Sequence, residues 1–428
     1  MSTRLRQWLL ANWPDLLIVS TLVALFCFVH RRLEAVEIGG DAIIKWQFVR
    51  QWSYANDLAH GKWDHHKARM GVNAITWIVQ KLFGHGWRAY YVGPFFMAAL
   101  QLPFVYLLGK RLSGRWVGVL AAFFVIYLGA VHRSASQLLP DGYVGTYAIV
   151  ATYLFARFVE AEPGRGLGFL IATSIVGFAG YLAKETFCFF YPAFIVAVWL
   201  GRRRVLDVLL TCGIWLAGLG LETLAYRFFT DYSSRLAIIK GTHLAGAAEE
   251  ETPTIGLEGL RGLFGRLDLD WDCLLGVGLL GAIWLLFFNR KSTTQGRAIA
   301  LLGLSHVAAL SVTSQIWQNP RPRYMDPATP FAALCAAVVF GVLLLPLYEQ
   351  LERWPLVAKF GPAARPALAS SWLVLIVGVA AVVTYRRQLE DPPFDGIAQG
   401  AKIAGLINAA YDRNLPIACD PRGAKVLM

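Results

Sequence analysis

Asp41 follows Gly39-Gly40 and precedes Ala42-Ile43-Ile44. A carboxylate at the edge of an apolar segment loses solvation, accepts protons more readily, and suits general-base work. The two glycines leave room for a ligand to approach. Asp is also a favoured helix N-cap, and the residues alone leave both roles open. A second acid, Asp141, opens an apolar run in Pro140-Asp141-Gly142. It either marks a turn and helix entry or orients a substrate or a nearby cation. Lys184 stands next to Glu185 in "GYLAKETFCFFYPAF" (180–194), between two apolar runs. It can snorkel, pair with Glu185, or meet a phosphate as a point charge. The densest signal is "NPRPRYMDPATPFAAL" (319–334). Its prolines stiffen the entry to an apolar run and hold Arg321 and Arg323, whose planar forks fit a phosphate or carboxylate. Tyr324 beside them can stack or donate a hydrogen bond. His65-His66 after Asp64 is read as a solvated loop, because a metal needs three or four ligands and adjacent residues rarely ligate together. No metal or other cofactor is expected.

These residues need elements to position them. The chain has 428 residues, 56% hydrophobic and only 16% charged, with mean hydropathy +0.49. Soluble domains carry roughly 25% charge. Apolar runs of about 20 residues recur, each long enough to cross about 30 Å of hydrocarbon. The expected fold class is an all-α polytopic membrane protein. About eleven spans are expected to begin near residues 15, 88, 115, 142, 166, 186, 205, 272, 297, 326 and 370. Arg4 and Arg6 precede an apolar run with no small-residue cleavage site, which reads as a retained first helix. The net charge of +12 sits mostly in loops and reflects topology, not nucleic-acid binding. The six cysteines form no CxxC pair or disulfide framework; a Cys273–Cys419 bridge is one conceivable pairing.

Short basic loops at 109–116, 201–205 and 289–297 fall on one face if spans alternate. The positive-inside rule makes that face cytoplasmic, with the N-terminus. The other face collects a first loop (37–87), "HRSASQLLPDG" (132–142), "LAKE", a long loop (229–271), "QNPRPRYMDP" and a short tail (386–428). Residues 1–385 form the transmembrane domain on this reading. Within the first loop, Trp46, Val49 and Trp52, and then "VNAITWIVQKLFG" (72–84), have helical spacing. They suit helices lying in the membrane interface or packed on the protein. Asp41, Asp141, Lys184, Arg321 and Arg323 thus emerge on one side from four separate loops. Charges at the end of an apolar bundle need partners or solvent, so their convergence looks like a site.

In this order, the pieces resemble the GT-C glycosyltransferases. The nearest branch holds protein O-mannosyltransferases and the transferases that add aminoarabinose or galacturonic acid to lipid A. The resemblance runs from about Asp41 to Ala337. It rests on Asp41 after the first helix and "GKRLSGRWVGVLAA" before the third span. It continues through Asp141 in "LLPDGYVGTYAIVATYLFARF", Lys184 in "LAKETFCFFYPAF", and Arg323-Tyr324-Met325-Asp326-Pro327-Ala328-Thr329-Pro330. Two departures stand out. No second acid neighbours Asp41, and the C-terminal part is short where larger relatives carry a folded domain.

The resemblance implies a GT-C-like bundle with interfacial helices in its first extracytoplasmic loop, in a cell membrane, bacterial by composition. It implies transfer of a sugar from a polyprenyl-phosphate donor to a hydroxyl of a lipid, glycan or protein, with the active site extracytoplasmic. Asp41 and Asp141 are then the catalytic acids, and Lys184, Arg321, Arg323 and Tyr324 hold the donor phosphate. The competing readings are a transporter or flippase of an anionic lipid-linked sugar, and a catalytically idle scaffold.

Overall fold

The computed structural model describes residues 3–30, 42, 45–46, 48–49, 66–84, 87–162, 165–230, 232–238, 269–289, 293–313 and 322–352. Asp41, Asp64, His65, Arg321, Cys419, most of the 229–271 loop, the expected span near 370 and the 386–428 tail lie outside them. The described residues form helices and connections. In order these are α1 (Thr3–Val29), α2 (Met70–Phe83), α3 (Trp87–Ser113), α4 (Arg115–Tyr127), α5 (Gly129–Ser136), α6 (Pro140–Glu160) and α7 (Leu167–Ala183). A 3-10 turn (Glu185–Phe190) leads into α8 (Tyr191–Arg202) and α9 (Val205–Phe229). Then come α10 (Leu269–Ile283), ending in a π-turn, α11 (Thr294–Thr313), a second 3-10 turn (Pro322–Ala328) and α12 (Thr329–Glu352).

Helical structure stands at each expected span position from 15 to 326. Among the described residues, five helices are long and apolar enough to cross a bilayer, or six if the bent pair α4–α5 is one span. The expected span near 370 lies outside the described residues, and the rest of the difference from the expected count has physical causes. α6 spans 21 residues but carries Asp141, Arg157 and Glu160. α7 and α8 have only 17 and 12 residues. Such helices are shielded by neighbours: α6 packs against α3 and α7, and α8 against α11. The segment Arg323–Gly341 is 78% buried, whereas those in α1 and α9 are 17% buried. The former is therefore central, and the latter present apolar side chains such as Leu209, Leu216 and Leu221 outward.

Between helices in lipid, close packing replaces the hydrophobic drive. α3 and α4 meet backbone to backbone, where a Cβ on Gly109 would lie 2.7 Å from the Gly118 Cα. α2 resolves the choice left open for the first loop. Its Val72, Asn73, Thr76 and Val79 are buried against the bundle, while Trp77, Ile78, Leu82 and Phe83 are exposed. One face packs on protein and the other offers aromatic and aliphatic groups, with Lys81 over the Trp77 ring at 5.8 Å. Trp46 and Val49 are buried, so this part of the loop packs on the protein. At the same end, His30 Nε2–H donates to the Ile126 carbonyl (2.8 Å) and His30 Nδ1 lies 2.8 Å from His132 Nδ1. This ties the end of α1 to the α4–α5 bend.

Candidate active site

Pro140 starts α6 because a first-turn residue needs no N–H donor; the extended Leu139 precedes it. Asp141 then sits in the first turn, where the helix dipole favours a negative charge. It is not a cap: the N-cap is Leu139, and no side chain caps the helix. A Cβ on Gly142 would lie 2.7 Å from the Ser134 Cβ, so the absence of a side chain lets α5 close over this turn.

At the far end of the neighbouring helix, α7 stops at Lys184, whose backbone is extended (φ −160°) and whose N–H bonds the Gly180 carbonyl at 3.1 Å. Its side chain turns inward. Lys184 Nζ donates to Asp141 Oδ1 at 2.6 Å, with the two side chains 3% and 2% exposed. The pairing with Glu185 that the sequence allowed does not form; the ammonium goes to Asp141 instead. Gly71 makes this approach possible, since a Cβ there would lie 2.5 Å from the Ala183 backbone nitrogen, one residue before Lys184.

The second 3-10 turn completes the cluster. Arg323 Nε is 4.0 Å from Asp141 Oδ2, and Lys184 Nζ sits over the Tyr324 ring at 4.0 Å. The Asp141 Oδ2 atom is buried without a hydrogen-bond partner among the described residues. Burial pushes the Lys184 ammonium down from its ordinary range, and the Asp141 charge opposes this. Four of the six expected residues therefore meet: Asp141, Lys184, Arg323 and Tyr324. Asp41 and Arg321 lie outside the described residues. The described neighbours of Asp41 reach the same end. Trp46 packs edge-on against Tyr90 (5.7 Å), and the Tyr90 hydroxyl accepts the Leu138 N–H at 3.0 Å.

Behind this cluster lie contacts that the sequence did not reveal. Glu185 accepts from Arg69 (3.2 Å) and Arg235 (3.3 Å). Arg235 also donates to the Tyr181 carbonyl (2.8 Å) and reaches Glu222 (3.5 Å). Burial raises the Glu185 carboxyl, but the charges of Arg69, Arg235 and Lys184 outweigh it and hold the group well below the usual carboxylate range. Asp326 accepts from Ser134 (3.1 Å) and Arg133 (3.4 Å), fixing α5 to the second 3-10 turn. His306 Nε2–H donates to the Tyr324 carbonyl at 3.0 Å, and Phe190 stacks on its ring at 4.6 Å. "Buried His in an apolar helix" was the only signal for His306; nothing in spacing pairs Arg69 with a residue more than a hundred positions away. Among the described residues no three His, Cys, Asp or Glu side chains gather as metal ligands do.

The Glu185 hub makes a measurable contribution. Glu185→Gln is expected to destabilise the protein by about 3 kcal/mol, since it leaves two buried guanidiniums without their shared counter-charge. Because the folded pKa is depressed, the wild-type contribution is full above about pH 4.3 and declines as pH falls below that. Thermal unfolding in detergent across pH checks this: the variant should start less stable and lose less further stability in acid.

The arrangement places a buried ammonium, a guanidinium and a carboxylate beside an aromatic ring at one end of an apolar bundle, a composition suited to an anionic group. Residues 67–222 match the family model described as dolichyl-phosphate-mannose-protein mannosyltransferase. No curated protein matches the chain. Among solved structures, ArnT from Cupriavidus metallidurans in the apo state matches with TM-score 0.54 and 13% identity, over 88% of this chain and 73% of that one. ArnT bound to undecaprenyl phosphate matches with TM-score 0.54 and 14% identity, over 97% and 75%. The oligosaccharyltransferase AglB from Archaeoglobus fulgidus, in complex with an inhibitory peptide and a dolichol-phosphate, matches with TM-score 0.52 and 13% identity. That match covers 89% of this chain and 56% of AglB, so the chain spans little more than half of the archaeal enzyme. With a family-model match running from the start of α2 into α9 and TM-scores of 0.52–0.54 along most of its length, the chain shares the fold of ArnT and AglB.

Proposed function

We propose that the chain moves a sugar from a polyprenyl-phosphate donor to a hydroxyl of a lipid, glycan or protein at the extracytoplasmic boundary of a cell membrane. The observation that carries this is the buried Lys184–Asp141 pair beside Arg323 and Tyr324. It lies in a fold whose solved examples include one bound to undecaprenyl phosphate and one in complex with a dolichol-phosphate. In the proposed reaction Asp41 takes the proton of the acceptor hydroxyl as that oxygen attacks the anomeric carbon. The bond from this carbon to the phosphate oxygen breaks through an oxocarbenium-like transition state, the configuration inverts, and the lipid monophosphate leaves with the electron pair. Lys184, Arg321 and Arg323 stabilise the negative charge that develops on the leaving phosphate. Asp141 acts through Lys184: it favours the charged ammonium against burial and aims it along the Tyr324 face. Side-chain cations carry the leaving charge in this scheme, so it requires no metal.

The test uses the full chain in proteoliposomes with a radiolabelled polyprenyl-phosphate sugar. Transfer to acceptor with release of lipid monophosphate is expected. Movement of intact donor across the bilayer without cleavage would replace this reading with transport, and neither event would leave a scaffold. Arg323→Ala is expected to weaken donor binding by roughly 10- to 100-fold, the worth of one charged hydrogen bond. Unchanged donor affinity in a binding titration removes Arg323 from the phosphate site.

A further inference from the structure

A cavity of about 610 Å³ lies between α1, α3 and α6. α6 separates it from the site above: Asp141 is in its first turn and Arg157 in its last. At 1.5 Å per residue they stand about 24 Å apart along the axis, close to the thickness of the hydrocarbon layer. The cavity therefore opens at the opposite membrane boundary.

Its polar rim is built from two carboxylates, each holding more than one cation. Asp15 accepts from Tyr106 (2.7 Å), Arg115 (3.1 Å) and Lys110. Glu160 pairs with Arg111 (2.8 Å) and Arg157 (3.7 Å) and accepts from Gln295 (3.0 Å). Four basic side chains face two acids, which leaves two positive charges uncompensated. Arg111 is also held over the Tyr153 ring at 5.0 Å. Lys110, Arg111 and Arg157 line the cavity and keep 33%, 21% and 41% of their side chains exposed. The positive-inside rule accounts for basic residues in this region. It does not call for two acids, Asp15 buried and Glu160 at the surface, that fix those residues around a cavity.

The wall has a polarity order. Leu16 lines the cavity beside Asp15, and Val19 and Leu107 line it about one helical turn deeper than Asp15 and Arg111. A free anion needs no such apolar continuation, whereas a lipid presents a phosphate at the boundary and a chain beneath it. We propose that this cavity binds the phosphate headgroup of an anionic membrane lipid, with the first part of its chain along Leu16, Val19 and Leu107. Clusters of Lys and Arg at a membrane surface attract anionic headgroups in this way.

The test reads lipid retention, not sugar transfer, so it fails or succeeds independently of the function proposed above. Full-length protein in detergent is titrated with dioleoyl-phosphatidylglycerol or dioleoyl-phosphatidylcholine and observed by native mass spectrometry. Retention of phosphatidylglycerol is expected to exceed that of phosphatidylcholine by roughly tenfold, the worth of one charged hydrogen bond. The double variant Arg111→Gln/Arg157→Gln should lose that preference. Val19→Trp, which narrows the apolar wall and leaves every ion pair in place, should lower retention as well, and it decides alone if the double variant fails to fold. Equal retention of both lipids by the wild type, or an undiminished preference in either variant, overturns the proposal. So does displacement of phosphatidylglycerol by millimolar inorganic phosphate, which would assign the rim to a free anion.

Discussion

Asp41→Asn is expected to lower the turnover of sugar transfer by about 100- to 10,000-fold, the usual contribution of a positioned general base, while donor binding changes little. The substitution keeps the shape and hydrogen-bonding reach of the side chain and removes only its capacity to accept a proton. The described residues that follow Asp41 pack toward the Asp141 turn. Ala42 is buried, the Trp46 carbonyl accepts from Gln80 at 2.9 Å, and Trp46 leans on Tyr90, which holds Leu138. That series of contacts connects the first loop to the turn just before Asp141. Turnover and donor titration on the purified variant check the prediction. In the wild type, transfer should fall in acid as the base protonates; in the variant the residual rate should lack this limb. A variant with wild-type turnover would remove Asp41 from the reaction as its base.

Much of this architecture was legible because a membrane imposes strong patterns. Apolar runs of fixed length placed ten helical positions, and the sign of the loop charges separated the two ends of the bundle. Lys110, Arg111, Arg115 and Arg202 gather at one end, and Asp141, Lys184 and Arg323 at the other. What periodicity could not supply is pairing across the chain. Lys184 and Glu185 are neighbours in sequence, yet the break at the end of α7 sends one to Asp141 and the other to Arg69 and Arg235. Adjacent side chains leave an extended backbone in opposite directions, so sequence proximity did not decide among the partners left open for Lys184. Arg69 is separated from Glu185 by six helices, and the close passage of α2 past α7 at Gly71 brings it there. The bend between α4 and α5 was also hidden. Its residues are apolar throughout, and the turn is made by the extended Leu128, not by a proline or a glycine pair.

Lys184→Met and Asp141→Asn are expected to fail in different ways, and the double variant separates structure from chemistry. Lys184→Met leaves the Asp141 carboxylate, 2% exposed, without its ammonium, and Arg323 at 4.0 Å does not replace a contact of 2.6 Å. Stranding one partner of a buried pair costs about 3–5 kcal/mol, so the melting temperature should drop and transfer should be lost. Asp141→Asn keeps an oxygen for Lys184 to donate to, and its structural cost is smaller. Its effect is on protonation. Burial depresses the Lys184 pKa and the Asp141 charge raises it, so removing that charge depresses it further. The ammonium then loses its proton at lower pH, and the alkaline limb of the transfer profile should shift toward neutrality. In Lys184→Met/Asp141→Asn no charge is stranded. Stability should return most of the way to wild type, while transfer stays absent at every pH because the phosphate has lost its buried cation. Thermal unfolding and transfer assays on the three variants decide the matter. A double variant as unstable as Lys184→Met would show that the pair is not the origin of that instability, and a double variant with wild-type transfer would show that the reaction does not use Lys184.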